Sequence, residues 1–141
     1  MPSIRDDLVR IALMWQANFG IAPAITSALS EYDAALLLGC TESEFSECMK
    51  HQTAVTKGFD FIYKGKRYQV KANRPSGNKG SKVTLVAKAK NYEWDILIWI
   101  LYNKEYQIEE AWYFDVDTYK ELFDVKKRLS PKEMRLGSRL F

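Results

Sequence analysis

The stretch GFDFIYKGKRYQVKAN, residues 58–73, decides how the chain folds. Phe59, Phe61 and Tyr63 alternate with Asp60 and Ile62, and beyond Lys64-Gly65, Tyr68 and Val70 alternate with Arg67, Gln69 and Lys71. This is the period-two pattern of two half-buried strands joined by a tight turn. With Lys64-Gly65 as a two-residue loop, Tyr63 is expected opposite Lys66, Phe61 opposite Tyr68 and Asp60 opposite Gln69, and a four-residue loop preserves the same pairs. Directly opposed Cβ atoms lie roughly 4.5–5.5 Å apart, and Lys71 falls on the same face, diagonal to Asp60. A carboxylate, an amide oxygen and an ammonium are therefore expected in one patch, opposite the aromatic face that enters the core.

Outward from this hairpin, WDILIWILY at 94–102 is almost continuously apolar and reads as a central strand buried on both sides. After the Asn103-Lys104-Glu105 turn, QIEEAWYFD at 107–115 reads as its hairpin partner, with Asp115 or Asp117 opening a helix that runs to Phe123. ITSALSEYDAALLLGC at 25–40 reads as a helix, with Thr26 or Ser30 near its start and Gly39 as its stop. Residues 4–19 form an amphipathic helix whose apolar set, Ile4, Leu8, Ile11, Leu13, Met14, Trp15 and Phe19, is wider than one core-facing stripe, so it serves the core or a dimer contact. SPKE at 130–133 has the form of a capping box with Pro at the first helical position and predicts a short helix over 131–136. Residues 79–93 read either as a strand or as a short helix.

A length of 141 residues with 47% hydrophobic content suits one domain with one core. The acid-bearing N-terminus MPSIRDDLVR is unlike a secretory signal, and the longest apolar run, Ile96 to Tyr102, is too short to cross a bilayer, so a cytoplasmic protein without membrane contact is expected. Cys40 and Cys48 match no zinc or redox spacing and read as reduced side chains. A single histidine, His51, excludes zinc chemistry built on histidine pairs, and no Gly-rich phosphate loop or nucleophile elbow occurs, so no nucleotide cofactor is expected. Catalysis, if present, must run on carboxylates, amides, lysines or hydroxyls.

The net charge of +3 is unevenly distributed. Residues 57–90 hold ten basic side chains against one acid, Asp60, whereas the remainder is acidic. A basic block in an otherwise acidic small domain is the footprint expected for a polyanion, and Lys57, Arg67, Arg74, Asn78, Lys79, Lys82, Lys88 and Lys90 are the candidate nucleic-acid contacts. The loop RPSGNKGSK at 74–82 has the glycines and donors of a mobile element that closes on nucleic acid. The basic residues of the tail, Lys126, Lys127, Arg128, Lys132, Arg135 and Arg139, either reach phosphates or are simply solvated.

One carboxylate and one amide hold a hard cation weakly, so a second acid is needed. Glu31 shares a helix face with Ala34, Ala35 and Leu38, a small apolar face expected to be buried. An acid there is costly unless compensated, and two readings remain open: a metal ion shared with Asp60, or complementation of the helix N-terminus from its first turn. Asp33 is expected to face solvent.

A glutamate on a helix, then Gly-Phe-Asp, a short hairpin and Gln-Val-Lys resemble the PD-(D/E)XK superfamily of restriction-endonuclease-like nucleases, in the branch where Gln replaces the second motif acid. Glu31, Asp60, Gln69 and Lys71 are the matching positions, and the resemblance covers residues 26–115. It implies an α/β (α+β) fold with a mixed central sheet flanked by helices, arranged as one nuclease-like domain: an N-terminal helix in 1–25, a catalytic core in 26–115, and C-terminal helices with a basic tail in 116–141. It further implies that Glu31, Asp60, the Gln69 side-chain oxygen and the Val70 backbone carbonyl bind Mg²⁺, with Mn²⁺ as a substitute. Lys71 would then position water or stabilise the transition state. The implied activity is that of an endodeoxyribonuclease, possibly of restriction type, acting on DNA as a homodimer and leaving a 5′-phosphate and a 3′-hydroxyl, with RNA not excluded. The alternative is a catalytically inactive nuclease-like subunit that binds nucleic acid or protein.

Overall fold

The Lys64-Gly65 turn forms as the alternation requires. Both residues have positive φ, 50° and 78°, the left-handed pair of a type I′ hairpin loop, and Tyr63 pairs with Lys66 and Phe61 with Tyr68. The computed structural model describes residues 3–52 and 58–141; Lys57 lies outside the described residues. Its elements in order are α1 (Ile4–Phe19), α2 (Thr26–Leu37), α3 (Glu42–Lys50), β1 (Phe61–Tyr63), β2 (Lys66–Asn73), β3 (Ile96–Tyr102), β4 (Ile108–Asp115), α4 (Val116–Phe123), α5 (Pro131–Met134) and β5 (Ser138–Arg139).

The strands form one five-stranded sheet in the order β1-β2-β3-β4-β5. All neighbours are antiparallel except β2 and β3, which run parallel, so the sheet is mixed and the architecture is α+β, with helices flanking it. A parallel pair needs a long crossover, usually helical. Here the crossover over 74–95 contains neither of the elements expected for 79–93: it is irregular and holds only the isolated bridge of Val86 to Leu129. Lysines, glycines and polar residues leave this segment too little apolar periodicity for a regular element, and Val86 alone among residues 74–90 is buried.

Each face of the sheet has its own core. Tyr68, Val70, Ile98, Ile100 and Tyr102 pack with Ala12 of α1 and with Leu29, Ala34 and Ala35 of α2. Leu97, Trp99 and Leu101 point the other way and pack with Phe114, with Tyr119 and Phe123 of α4, and with Leu129 and Met134. The unbroken apolar run of β3 follows directly, because both sides of the strand are covered. Three aromatic rings of the second core, Phe114, Tyr119 and Phe123, meet edge to face at centroid distances of 5.1–5.8 Å.

α3 is absent from the sequence reading although its signal was present. In Thr41-Glu42-Ser43-Glu44 the Thr41 hydroxyl accepts from the Glu44 N–H and the Glu44 carboxylate accepts from the Thr41 N–H, both at 3.0 Å. The reverse holds at the C-terminus. Ser130 makes no side-chain cap; its hydroxyl donates to the Glu133 carboxylate, and α5 ends at Met134 rather than at 136. Asp115, not Asp117, caps α4 by accepting from the Thr118 N–H at 2.8 Å. No helix among the described residues is long and apolar enough to cross a membrane.

Candidate active site

β1 is only three residues long, and its brevity creates the site. Among the described residues the edge of β2 beyond Tyr68 has no strand partner on that side, and Asp60 contacts it with main chain and side chain. Its N–H donates to the Tyr68 carbonyl at 2.7 Å, and its Oδ2 accepts the Val70 N–H at 2.7 Å. Tyr68 is also the partner of Phe61, so two consecutive residues answer to one, the offset of a β-bulge. Asp60 is therefore shifted from the simple opposition to Gln69 that the hairpin count predicts, and it contacts the backbone on either side of Gln69. Gln52 adds a support with no sequence signal, its amide donating to the Asp60 carbonyl.

Gly58 sets the approach to this aspartate. Its φ is +77°, and a Cβ there would come within 2.6 Å of the Glu93 Cβ and 3.0 Å of the Asn91 Oδ1. The backbone can pass the 91–93 loop only because position 58 carries no side chain.

α2 delivers the second carboxylate. Glu31 lies on the face that also carries the buried Ala34 and Ala35, as its helical spacing predicts, and it is half-buried in hydrogen-bond contact with Asp60. Burial first, then the negative charge of Asp60 and the hydrogen bond to it, push the Glu31 carboxyl up to about 7. Burial also raises Asp60, while the Val70 N–H, the hydrogen bond from Glu31 and the charge of Lys71 pull it back. Both carboxyls are raised, but only Asp60 has a backbone donor and a cation that offset the rise. Glu31 does not complement the α2 N-terminus from its first turn, because α2 begins at Thr26 and carries no acid in that turn.

Gln69 and Lys71 are half-buried on β2 and register with Leu97 and Trp99. They consequently lie on the face opposite the one α2 covers. That face is not an open wet surface, since the second core occupies it. The four predicted residues thus gather around the rim of β2 from both sides of the sheet: Glu31 and Asp60 in contact, Lys71 near enough to act on Asp60, and Gln69 between the two backbone groups that bond it.

Asp33 does not face solvent. It is 5% exposed and accepts from Arg5 Nε at 2.6 Å, from Arg5 Nη2 at 2.8 Å and from the Tyr102 hydroxyl at 2.6 Å. A helical projection of α2 alone cannot reveal that α1 lies alongside with an arginine at that height.

The candidate nucleic-acid residues divide into two groups. Arg67 pairs with Asp95 at 3.2 Å. Arg74 donates to the Lys104 carbonyl and to Gln16 Oε1 at 2.8 Å, and stacks 4.2 Å from the Tyr106 ring centroid, so the root of the 74–82 loop is anchored. Lys88 donates to the carbonyls of Asp124 and Lys126 at 2.7 and 2.9 Å. Lys79, Lys82 and Lys90 are exposed with no ion pair to a described residue, and Asn78 is exposed beside them. In the tail, Arg135 is committed to Glu110 at 2.7 Å and Arg139 stacks on Trp112. Cys40 and Cys48 are free thiols.

Two neighbouring, half-buried carboxyls whose pKa values are raised are a donor pair that a hard divalent cation fits, because its charge relieves their repulsion. Among the described residues, no three His, Cys, Asp or Glu side chains converge as metal ligands. Any ion here would rely on Gln69, the Val70 carbonyl, water or substrate oxygens to complete its shell. A groove of about 460 Å³ lies elsewhere, between α1, α2 and α3. No protein-family model matches the chain, and no curated protein matches it.

Proposed function

We propose that the chain is a PD-(D/E)XK-type nuclease that hydrolyses phosphodiester bonds of DNA with Mg²⁺ or Mn²⁺. The observation that carries this reading is the direct contact of Glu31 with Asp60. A helix glutamate and a hairpin aspartate from two separate elements face each other with a lysine close enough to act on the aspartate. An arrangement that raises both acids at once costs stability, and such costs concentrate at functional sites.

Glu31, Asp60, the Gln69 side-chain oxygen and the Val70 carbonyl would hold the metal, and a bound divalent ion supplies an acidified water and a polarised phosphate. Asp60 is preorganised for this: the Val70 N–H fixes one of its oxygens, and Lys71 favours its anionic form. Glu31 must give up its proton to bind a cation, which places full occupancy above neutral pH. The Lys71 ammonium balances the charge that grows on the phosphate oxygens as the water oxygen bonds to phosphorus and the bond to the 3′ oxygen breaks. Exposed Lys79, Lys82 and Lys90 supply a positive border for the strand.

The test is incubation of supercoiled plasmid with the purified protein and Mg²⁺ or Mn²⁺, beside Asp60→Ala and Lys71→Ala. Wild type should nick or linearise the plasmid, and each variant should be slower by about 10²-fold or more. Plasmid left intact with both metals, or variants that cut as well as wild type, would overturn the nuclease reading. Intact plasmid that is nevertheless retarded on a gel would point to a binding subunit instead.

A further inference from the structure

α1 carries two apolar stripes, and the sheet uses only one. Ala12 is buried against the first core, with Leu8, Val9 and Leu13 packed beside it. A second stripe, Ile4, Leu8, Ile11, Trp15 and Phe19, recurs at intervals of four, three, four and four residues, close to the seam of a coiled coil. Apart from Leu8 it is open: Ile4, Ile11, Trp15 and Phe19 are 79, 52, 52 and 68% exposed, and Met14 beside them is 55% exposed. The stripe contains no charged residue, so covering it strands no ion.

The two ends of the stripe have complementary shapes. At the C-terminal end the Trp15 and Phe19 rings lie 4.7 Å apart and form a single aromatic knob. At the N-terminal end Ile4 and Leu8 are one wall of the groove of about 460 Å³, whose other walls include Leu29, Tyr32, Phe45 and Met49. The positions are also symmetric about the middle of the helix. Reversing the helix on itself at Ile11-Ala12 places Ile4 against Phe19 and Leu8 against Trp15. A surface on which a knob and a groove exchange places under a two-fold rotation is what a closed isologous pair requires.

We propose that α1 is the seam of a two-fold symmetric homodimer in which two copies pack antiparallel, the Trp15–Phe19 knob of each protomer entering the groove between α1, α2 and α3 of the other. Five large side chains at these exposures, together with the groove walls, present on the order of 600–800 Å² per protomer, the scale of one side of a standard interface. An open apolar patch of that size is uncommon on a monomer. This inference is independent of the proposed hydrolysis, because none of these residues belongs to the Glu31–Asp60 site.

Sedimentation equilibrium of the full chain at micromolar concentration tests it. Wild type should sediment at twice the 16.4 kDa chain mass. Trp15→Glu/Phe19→Glu should be monomeric with an unchanged circular dichroism spectrum, since both side chains are exposed. Ala28→Trp, which fills the groove without altering α1, should weaken the dimer at least tenfold. A monomeric wild type overturns the proposal, as does a dimer that survives either variant with its fold intact.

Discussion

Glu31 and Asp33 stand two positions apart on α2, and their surroundings are opposite. Asp33 is nearly inaccessible, yet every demand it makes is met: a bidentate guanidinium from α1 and a phenolic hydroxyl from β3. The exchange is reciprocal, since Asp33 raises the Arg5 guanidinium and, after burial itself, is the main reason the Tyr102 hydroxyl is harder to ionise. Glu31 is less buried but worse served, because what it meets is the carboxylate of Asp60. The comparison separates an acid that fastens three elements from an acid that faces a second carboxyl. Burial alone would have ranked them the other way.

Breaking the Asp33 cluster should have the largest effect on stability. Asp33→Ala leaves a guanidinium largely buried without its anion, and a loss of about 3–5 kcal/mol is expected in urea unfolding at neutral pH. A loss under about 1 kcal/mol would mean that Asp33 fastens nothing. Tyr102→Phe removes a single hydrogen bond to a charged acceptor and should cost about 1.5 kcal/mol by the same measurement, with Arg5 still in place. Equal costs for the two variants would show that the hydroxyl, not the ion pair, holds the cluster.

Glu31 should give a change that depends on pH, and one of opposite sign. Its carboxyl lies near 7 in the folded chain against an ordinary 4.5, so the folded state holds the proton more tightly than the unfolded one. That contribution is complete below about 4.5 and is lost as pH rises through 7. In chelator, the melting temperature of wild type should therefore fall between pH 5 and pH 8 relative to Glu31→Gln, which lacks the titration. Mg²⁺ at pH 8 should restore wild type and leave Asp60→Asn unmoved. A flat difference between wild type and Glu31→Gln across that range would remove the contrast between the two acids.

Local patterns carried much of this into the sequence. The β1–β2 register from Phe61–Tyr68 to the turn was legible to the residue, because alternation and a Lys-Gly turn leave one register. β3 was legible as a doubly covered strand because a run without polar alternation has no face to spare. The inward position of Glu31 was legible from its place among alanines. What escaped depends on contacts between distant segments. Asp33 was misjudged because Arg5 reaches it from another helix. Arg74 and Lys88 look like free cations in a basic block, but their partners are main-chain carbonyls at 104, 124 and 126. The bulge at Asp60 was illegible for a subtler reason: a three-residue edge strand stops pairing one residue before the count assumes, and nothing in Gly58-Phe59-Asp60 marks the stop. α3 was the one omission without excuse in physics, as Thr41 and Glu44 spell its start.

The crowding at Gly58 carries an evolutionary consequence. A saturation scan should find this position nearly intolerant, since even alanine would need both a disfavoured φ and room already taken by Glu93. Gly65 and Gly80 have similar φ but open space around them, so asparagine should survive at both. Drift in homologous chains would then erode the hairpin tip long before it reached the doorstep of the aspartate.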